Sequence, residues 1–281
     1  MDVSIIIVNY NTKELTKQCI NSIIEKTEGV EYEIILVDNA SSDGSKEYFE
    51  KDNRLTYIYS KKNGGFGYGN NLGMKVAKGN YFFLLNSDTI LLNNAIKEFF
   101  DYAENHNPKT IYGCYLVGET NEYACSFFYY PAFTIKDFLE RILHLKNYLP
   151  VDYQNKVVEC ICGADLFIPK TAIQEVGDFD DHIFLYGEEG ELQYRMQQAG
   201  YSSYLINTPK IQHLEGKSSV PSIWKKTISL KSHFWILKKH MIPSTYIIAR
   251  IYYAINLGLR NVNYLFSAEG RTYLKLLFMT P

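Results

Sequence analysis

Val3-Ser4-Ile5-Ile6-Ile7-Val8-Asn9-Tyr10-Asn11 decides the fold. The run is uncharged and mostly β-branched from Val3 to Val8, and it stops at three polar residues. A stretch this short and apolar at every other position and the one between reads as a strand buried on both faces, the kind a parallel sheet requires. Three later runs share its character: Glu33–Val37, Leu55–Tyr59 and Tyr81–Leu85. Between the first two lies Thr12–Lys26, where Leu15, Cys19 and Ile23 recur at helical spacing and Thr12 stands where an N-cap belongs. Ser45–Lys51 and Tyr68–Ala77 supply the next two crossovers. Strand–helix–strand repetition defines an α/β domain with right-handed crossovers. Ligands of such open sheets bind at the carboxyl ends of the strands. Here those ends carry Asn9-Tyr10-Asn11, Asp38-Asn39, Lys62-Asn63-Gly64-Gly65 and Asn86-Ser87-Asp88.

Further along, Asn93–Asn105 reads as a helix, Glu122–Tyr130 as an extended strand and Ile135–Tyr148 as an amphipathic helix over or beside the site. Regular structure returns at Val158–Pro169 and in a helix from Glu189 to Ala199, with Leu192, Met196 and Ala199 on its inner face. After His213 the character changes. Pro221–His240 and Pro243–Phe266 each begin at a proline and mix basic residues with large apolar ones. The expected division is residues 1–216 as the α/β domain and 217–281 as a basic, aromatic helical extension.

A chain of 281 residues with 46% hydrophobic content can bury a full core, which excludes disorder. Its 24 tyrosines and 16 phenylalanines suit sugar sites or membrane interfaces as well as ordinary packing. The net charge of −2 hides a split: Lys217 to Pro281 holds ten Lys or Arg against one acid, Glu269. The tail therefore carries +9 and the first 216 residues −11. Such asymmetry suits an anionic membrane surface or nucleic acid. Nothing else in the chain resembles a nucleic-acid module. A membrane, a dimer partner or packing on the first domain is left as the use of the tail. The five cysteines, Cys19, Cys114, Cys125, Cys160 and Cys162, are odd in number and lack zinc spacing, so they read as reduced thiols. Val3–Val8 is too short for a signal peptide, and no run reaches the roughly eighteen apolar residues of a membrane span. The expectation is a cytoplasmic protein at the inner face of the cell membrane.

Two acidic features carry the chemistry. Leu85-Asn86-Ser87-Asp88-Thr89 ends an apolar strand with an aspartate, and Tyr186-Gly187-Glu188-Glu189-Gly190-Glu191-Leu192 opens a helix with acids. A metal-bound diphosphate needs an acid of the first kind, and a sugar hydroxyl about to attack needs a base of the second. Together they point to a nucleotide-sugar transferase. Each also has a plain structural explanation: a strand-end aspartate caps a helix, and acids favour helix N-termini. The glycine-rich stretch Asn63–Gly73 follows the third strand, whereas a dinucleotide fingerprint would follow the first, which argues against a dehydrogenase.

These segments, with Val37–Ser45, Gly163-Ala164-Asp165, Gly177-Asp178-Phe179-Asp180 and Phe184–Glu189, resemble the family-2 glycosyltransferases of the GT-A fold. They resemble the rhamnosyltransferase-like branch most, over residues 3 to 216. The resemblance implies an α/β GT-A domain with a mostly parallel mixed sheet plus the C-terminal helical extension. It further implies inverting transfer from a nucleoside-diphosphate sugar, dTDP-rhamnose or a UDP-hexose, to a hydroxyl of a saccharide acceptor. That acceptor would be lipid-linked, in bacterial cell-surface polysaccharide synthesis.

The resemblance also assigns roles. Asp38 accepts from N3–H of a pyrimidine, and Val8, Tyr10 and Asn11 surround base and ribose. Asn63, Gly64, Gly65 and Asn70 lie near the donor sugar and base. Asn86 and Ser87 begin the family's Asp-x-Asp element, whose last residue, Asp88, ligates Mn2+ or Mg2+. His213 joins the metal or the diphosphate, and its imidazole suits manganese better than magnesium. Asp165 contacts sugar hydroxyls, and Glu189 is the base, with Glu188 the next choice. As alternatives, Asp38 is a turn acid, His213 a strand-edge histidine, and Asp180 and Asp181 stabilise a turn. The family usually carries Glu-Asp where this chain has Glu188-Glu189. The added methylene moves the reactive oxygen by about 1 Å, a displacement that matters for in-line attack. That departure, with Asn86 in place of an acid, motivates the alternative of a catalytically silent sugar-nucleotide-binding or scaffold protein.

Overall fold

A computed structural model describes residues 1–143, 149, 151–214, 222–260, 270–271 and 274–275. Its first part repeats strand and helix: β1 (Val3–Asn9), α1 (Lys13–Lys26), β2 (Tyr32–Asp38), α2 (Ser45–Phe49), β3 (Thr56–Tyr59), α3 (Phe66–Met74) and β4 (Tyr81–Asn86). There follow β5 (Thr89–Leu91), α4 (Ala95–Glu104), β6 (Thr110–Cys114), β7 (Phe127–Phe128), α5 (Ile135–Ile142), β8 (Lys156–Val158), β9 (Cys160–Ile161) and β10 (Asp165–Pro169). The remaining elements are α6 (Lys170–Val176), α7 (Glu188–Gln198), β11 (Ser202–Ile206), β12 (Ile211–His213), α8 (Ser222–His240) and α9 (Pro243–Arg260).

The main sheet, counted among the described residues, has eight strands in the order β3-β2-β1-β4-β10-β6-β11-β8. From β3 to β4 every neighbour is parallel, as the crossovers require. β10 then runs antiparallel to both β4 and β6. The register sets Asn9 opposite Asp38 and Val8 opposite both Val37 and Asn86. Three polar strand ends are thereby brought level at one rim of the sheet.

Alternation along β1 explains its apolar run. Ile5 and Ile7 join Cys19, Ile20 and Ile23 of α1 on one face. Ile6 joins Ile35, Val37 and Met74 on the other. Burying each such side chain contributes about 1.5–3 kcal/mol, so replacing any of these isoleucines by a polar residue is costly. The glycines of α3 serve this packing. A Cβ on Gly69 would meet Val8 Cγ1 at 2.7 Å, and one on Gly73 would meet Ile6 Cγ2 at 2.5 Å. Only glycine lets α3 lie this close to β1, while Gly65, at φ +91°, makes the turn into the helix.

Several expectations change in detail. Thr12 precedes α1 but makes no side-chain cap; its hydroxyl donates instead to Asn9 Oδ1 at 2.8 Å. Glu122–Tyr130 contains only the short β7, paired with β9, plus a bridge between Tyr123 and Val117. The helix foreseen from Ile135 ends at Ile142, and Tyr148 and Phe266 lie outside the described residues. The cysteines are free thiols.

The chain forms two compact units that interleave along the sequence. The first comprises Met1–Tyr129, Val151–Asp181 and Glu189–Lys217, and the second Tyr130–Pro150, His182–Glu188 and Ser218–Pro281. The first unit holds the sheets. Within the second, Phe234 of α8 meets Tyr253 of α9 edge-on at 5.8 Å, and His233 Nε2 lies 2.9 Å from the Tyr253 hydroxyl. Ser232 donates to the Leu185 carbonyl at 2.8 Å, which fixes the 182–188 segment against α8. No helix among the described residues is long and apolar enough to cross a membrane.

Candidate active site

Asn9, which the sequence reading did not single out, organises the strand ends. It is fully buried; its Oδ1 accepts from the hydroxyls of Thr12 (2.8 Å) and Thr16 (3.0 Å), and its Nδ2 donates to Ser41 Oγ (3.1 Å). The Thr12 hydroxyl is also 3.0 Å from Ser87 Oγ, so one buried amide ties the ends of β1, β2 and β4 together. The available signal was its position, the first polar residue after an apolar strand. Asn11 takes a left-handed φ of +54° and accepts from the Ser42 N–H at 2.7 Å. Tyr10 stands exposed and Val8 half-buried beside them.

Asp38 is fully buried at the end of β2. One oxygen accepts from the Tyr57 hydroxyl and the other from the Ser41 N–H, each at 2.8 Å. Burial pushes the Tyr57 hydroxyl pKa up and the bond to Asp38 adds to it, so Tyr57 remains a donor. Each carboxylate oxygen keeps a further acceptor position beyond these bonds. Asn39 Nδ2 donates to the Gly65 carbonyl at 2.8 Å, and Asn63 Oδ1 accepts from the Gly65 N–H at 3.0 Å. Gly64 lies against Tyr68, whose ring would be 2.2 Å from any Cβ added there. Asn70 Nδ2 donates to the Phe66 carbonyl at 3.0 Å, and its buried Oδ1 has no hydrogen-bond partner. The orphaned oxygens of Asn39 and Asn70 mark this loop and helix as a polar, incompletely satisfied stretch.

At the end of β4, the Asn86 N–H donates to the Ala164 carbonyl at 3.0 Å, just before β10. Antiparallel pairing of β12 with β5 sets His213 opposite Thr89, and the Leu214 N–H donates to the Asp88 carbonyl at 2.9 Å. That pairing brings residues 125 positions apart together: His213 Nε2 is 3.3 Å from Asp88 Oδ1 and 3.4 Å from Asn86 Nδ2. The two contacts compete. Protonated at Nε2, the ring donates to Asp88; with a bare Nε2 it accepts from Asn86. A hard carboxylate and an imidazole this close fit two adjacent positions of one octahedral ion, which at bond lengths of about 2.1 Å lie about 3 Å apart. The pair would therefore suit Mn2+ or Mg2+.

Asp165 begins β10 opposite Leu85, fully buried, with Oδ2 accepting from the Cys114 N–H at 2.6 Å. Its Oδ1 has no hydrogen-bond partner. Burial pushes its pKa up to about 7, against the Cys114 bond and the nearby His213, which both lower it. Glu189, half-buried in the first turn of α7, runs past Gly163: its Cβ and Cγ would lie 3.4 and 3.5 Å from a Cβ there. Burial pushes the Cys160 thiol pKa up, and the neighbouring Glu189 carboxylate adds to it. Glu188 is buried and groups with the second unit, Glu189 with the first. Glu191 is committed elsewhere, in a buried ion pair with Arg195 at 2.9 Å. Asp181 accepts from Asn71 Nδ2 at 3.0 Å, and Asn71 also exchanges hydrogen bonds with the backbone of Phe179, pinning the 177–181 loop to α3.

A mixed α/β sheet with polar strand ends and a strand-end Asp–His pair defines a GT-A-like protein. The structure superimposes on the crystal structure of GalNAc-T7 with UDP, GalNAc and Mn2+ at a TM-score of 0.61 and 15% identity, over 85% of this chain and 48% of that one. The profile of glycosyl transferase family 2 matches residues 4–176, and the chain belongs to that family. Glycosyltransferase GlyG of Streptococcus pneumoniae is 31% identical over 117 residues, 40% of this chain and 38% of that protein. The low-salt glycan biosynthesis hexosyltransferase Agl10 of Haloferax volcanii is 28% identical over 205 residues, 70% of this chain and 62% of that protein. The chain thus matches under two thirds of the length of either relative.

Proposed function

We propose that this protein is an inverting glycosyltransferase acting on a nucleoside-diphosphate sugar. The observation that carries the reading is the junction at residues 163–165. Glu189 lies against Gly163, the Ala164 carbonyl holds Asn86 at the end of β4, and Asp165 follows at once. These contacts support a reading in which a carboxylate and a strand-end acid with its histidine act at one rim. Glu189 takes the proton of the acceptor hydroxyl as that oxygen attacks the anomeric carbon. Asp38, Val8, Tyr10 and Asn11 hold the base and ribose, Asn63, Gly64, Gly65 and Asn70 line the approach of the donor, and Asp165 contacts sugar hydroxyls. Asp88 and His213 hold a divalent ion, which when bound neutralises charge on the departing diphosphate. dTDP-rhamnose is the favoured donor, a UDP-hexose the alternative, and the acceptor is a saccharide on a lipid carrier at the inner face of the cell membrane. Supporting this are the family, the glycan-building relatives and the basic tail.

The test is a thermal-shift panel of UDP, dTDP and GDP with and without Mn2+, followed by turnover with the matching sugar donors. Pyrimidine diphosphates should stabilise the protein more than GDP, and the ion should add to the effect. Glu189→Gln should bind donor normally and lose about two or more decades of turnover. Glu188→Gln as the crippled variant would move the base by one residue. Nucleotide binding without transfer or donor hydrolysis, in the unaltered protein, would favour the silent sugar-nucleotide-binding reading that Glu189 and Asn86 motivate.

A further inference from the structure

The second unit contains a cavity of about 380 Å³ lined by His182, Phe184, Ile228, Lys231, Ser232, Phe234, Trp235, Lys238 and Tyr246. Ile228, Lys231, Ser232, Trp235 and Lys238 recur at spacings of three and four, so one face of α8 forms its floor. Phe184 and His182 come from the segment that Ser232 holds to α8 through the Leu185 carbonyl, and His182 stacks on Trp235 at 4.4 Å. Tyr246, from the first turns of α9, is buried and its hydroxyl has no hydrogen-bond partner.

The chemistry of this lining is mixed in an informative way. Its walls are aromatic and aliphatic, yet no acid is among the lining residues, and neither Lys231 nor Lys238 forms an ion pair among the described residues. Two solvent-exposed ammonium groups at the cavity rim on one helix face, beside a buried hydroxyl with nothing to bond, suit an anion with several acceptor oxygens. The apolar walls call for something beyond a free anion. Close by in the chain, Ile242, Ile247, Ile248 and Ile251 are 66%, 59%, 48% and 54% exposed, a group of exposed aliphatic side chains. Charge and apolarity together select one ligand class, an amphiphile with a phosphate head.

We propose that this cavity binds the phosphate head of a lipid, with Lys231, Lys238 and the Tyr246 hydroxyl on the phosphate. The first carbons of the chain then lie over Trp235 and Phe184. This rests on the reading of a lipid-linked acceptor and deepens it, because the cavity wall at Phe184 precedes Glu189 by five residues in the chain.

The experiment uses the full chain and the intrinsic fluorescence of Trp235. The protein has two tryptophans, so Trp224→Phe leaves Trp235 as sole reporter. Dodecyl phosphate below its micelle concentration should shift that emission saturably. Inorganic phosphate and the uncharged dodecyl maltoside should not. Replacing both lysines, Lys231→Ala with Lys238→Ala, should weaken dodecyl phosphate at least tenfold, and the Arg pair at the same positions should restore it. Unchanged affinity in the double Ala variant, or equal binding of the maltoside, would overturn the proposal. So would saturation by inorganic phosphate alone. Thermal stabilisation by UDP or dTDP with Mn2+, measured on the same samples, separates the two ideas: its absence with both nucleotides would sink the proposed donor site while leaving the lipid titration to stand or fall by itself.

Discussion

Asp165 is a carboxylate whose surroundings depart far from those of an exposed one. Burial lifts its pKa to about 7, although the Cys114 N–H and His213 both pull it down. The unfolded chain releases this proton near pH 4, so between there and pH 7 the folded state holds the extra proton. The stabilisation is complete below about pH 4, is lost as pH rises through about 7, and is flat above. Asp165→Asn keeps the shape and an oxygen for the Cys114 N–H but cannot titrate. In metal-free buffer, the melting temperature of the native protein should fall relative to that of Asp165→Asn between pH 4.5 and 7.5. Parallel curves would show that the carboxyl is ionised throughout. In sequence this residue is one acid in Gly163-Ala164-Asp165, and nothing local announces its burial; only the pairing of β10 between β4 and β6 removes it from water.

The decisive element is α3. Gly65, at φ +91°, makes the turn into the helix. Gly69 and Gly73 instead set the distance between α3 and β1. Ala at either position should overpack the interface with Val8 or Ile6 and cost about 1–3 kcal/mol. Chemical denaturation would show it as a lower midpoint at unchanged slope, and an unaltered midpoint would mean that the helix slides without cost. Asn71→Ala tests the other side of the same helix. It removes the hydrogen bonds to Phe179 and Asp181 and strands a buried backbone N–H, a loss of about 1–3 kcal/mol. The strands and crossovers of this half were legible because their period is local. The length of α3 was not, since glycine weakens a helix in isolation and only the neighbouring strand compensates.

For the molecule as a whole the charge split matters most. The tail carries ten basic residues and one acid, and α9 displays exposed isoleucines, Ile247, Ile248 and Ile251, among them. Near an anionic bilayer each basic residue is worth about 1 kcal/mol, so several together give reversible attachment that salt weakens. The protein should float with vesicles containing phosphatidylglycerol and not with pure phosphatidylcholine, and raising the salt should release it. Serine in place of Ile247, Ile248 and Ile251 together should reduce flotation severalfold. Flotation indifferent to lipid charge would assign the tail to packing or to a dimer contact, which light scattering would detect.

The sequence by itself determined the parallel half of the sheet, the family and the segments that meet at the strand ends. These depend on periodicity and on short stretches whose residues act together because they are consecutive. Only the tertiary structure decided the partnerships: His213 with Asp88, Glu189 with Gly163, Asn9 with Ser41, Thr12 with Ser87, and the cavity of α8. Each joins side chains to partners elsewhere in the chain. Such pairs are fixed by strand register and helix docking, which arise from the burial of many apolar residues at once and leave no trace in any single segment.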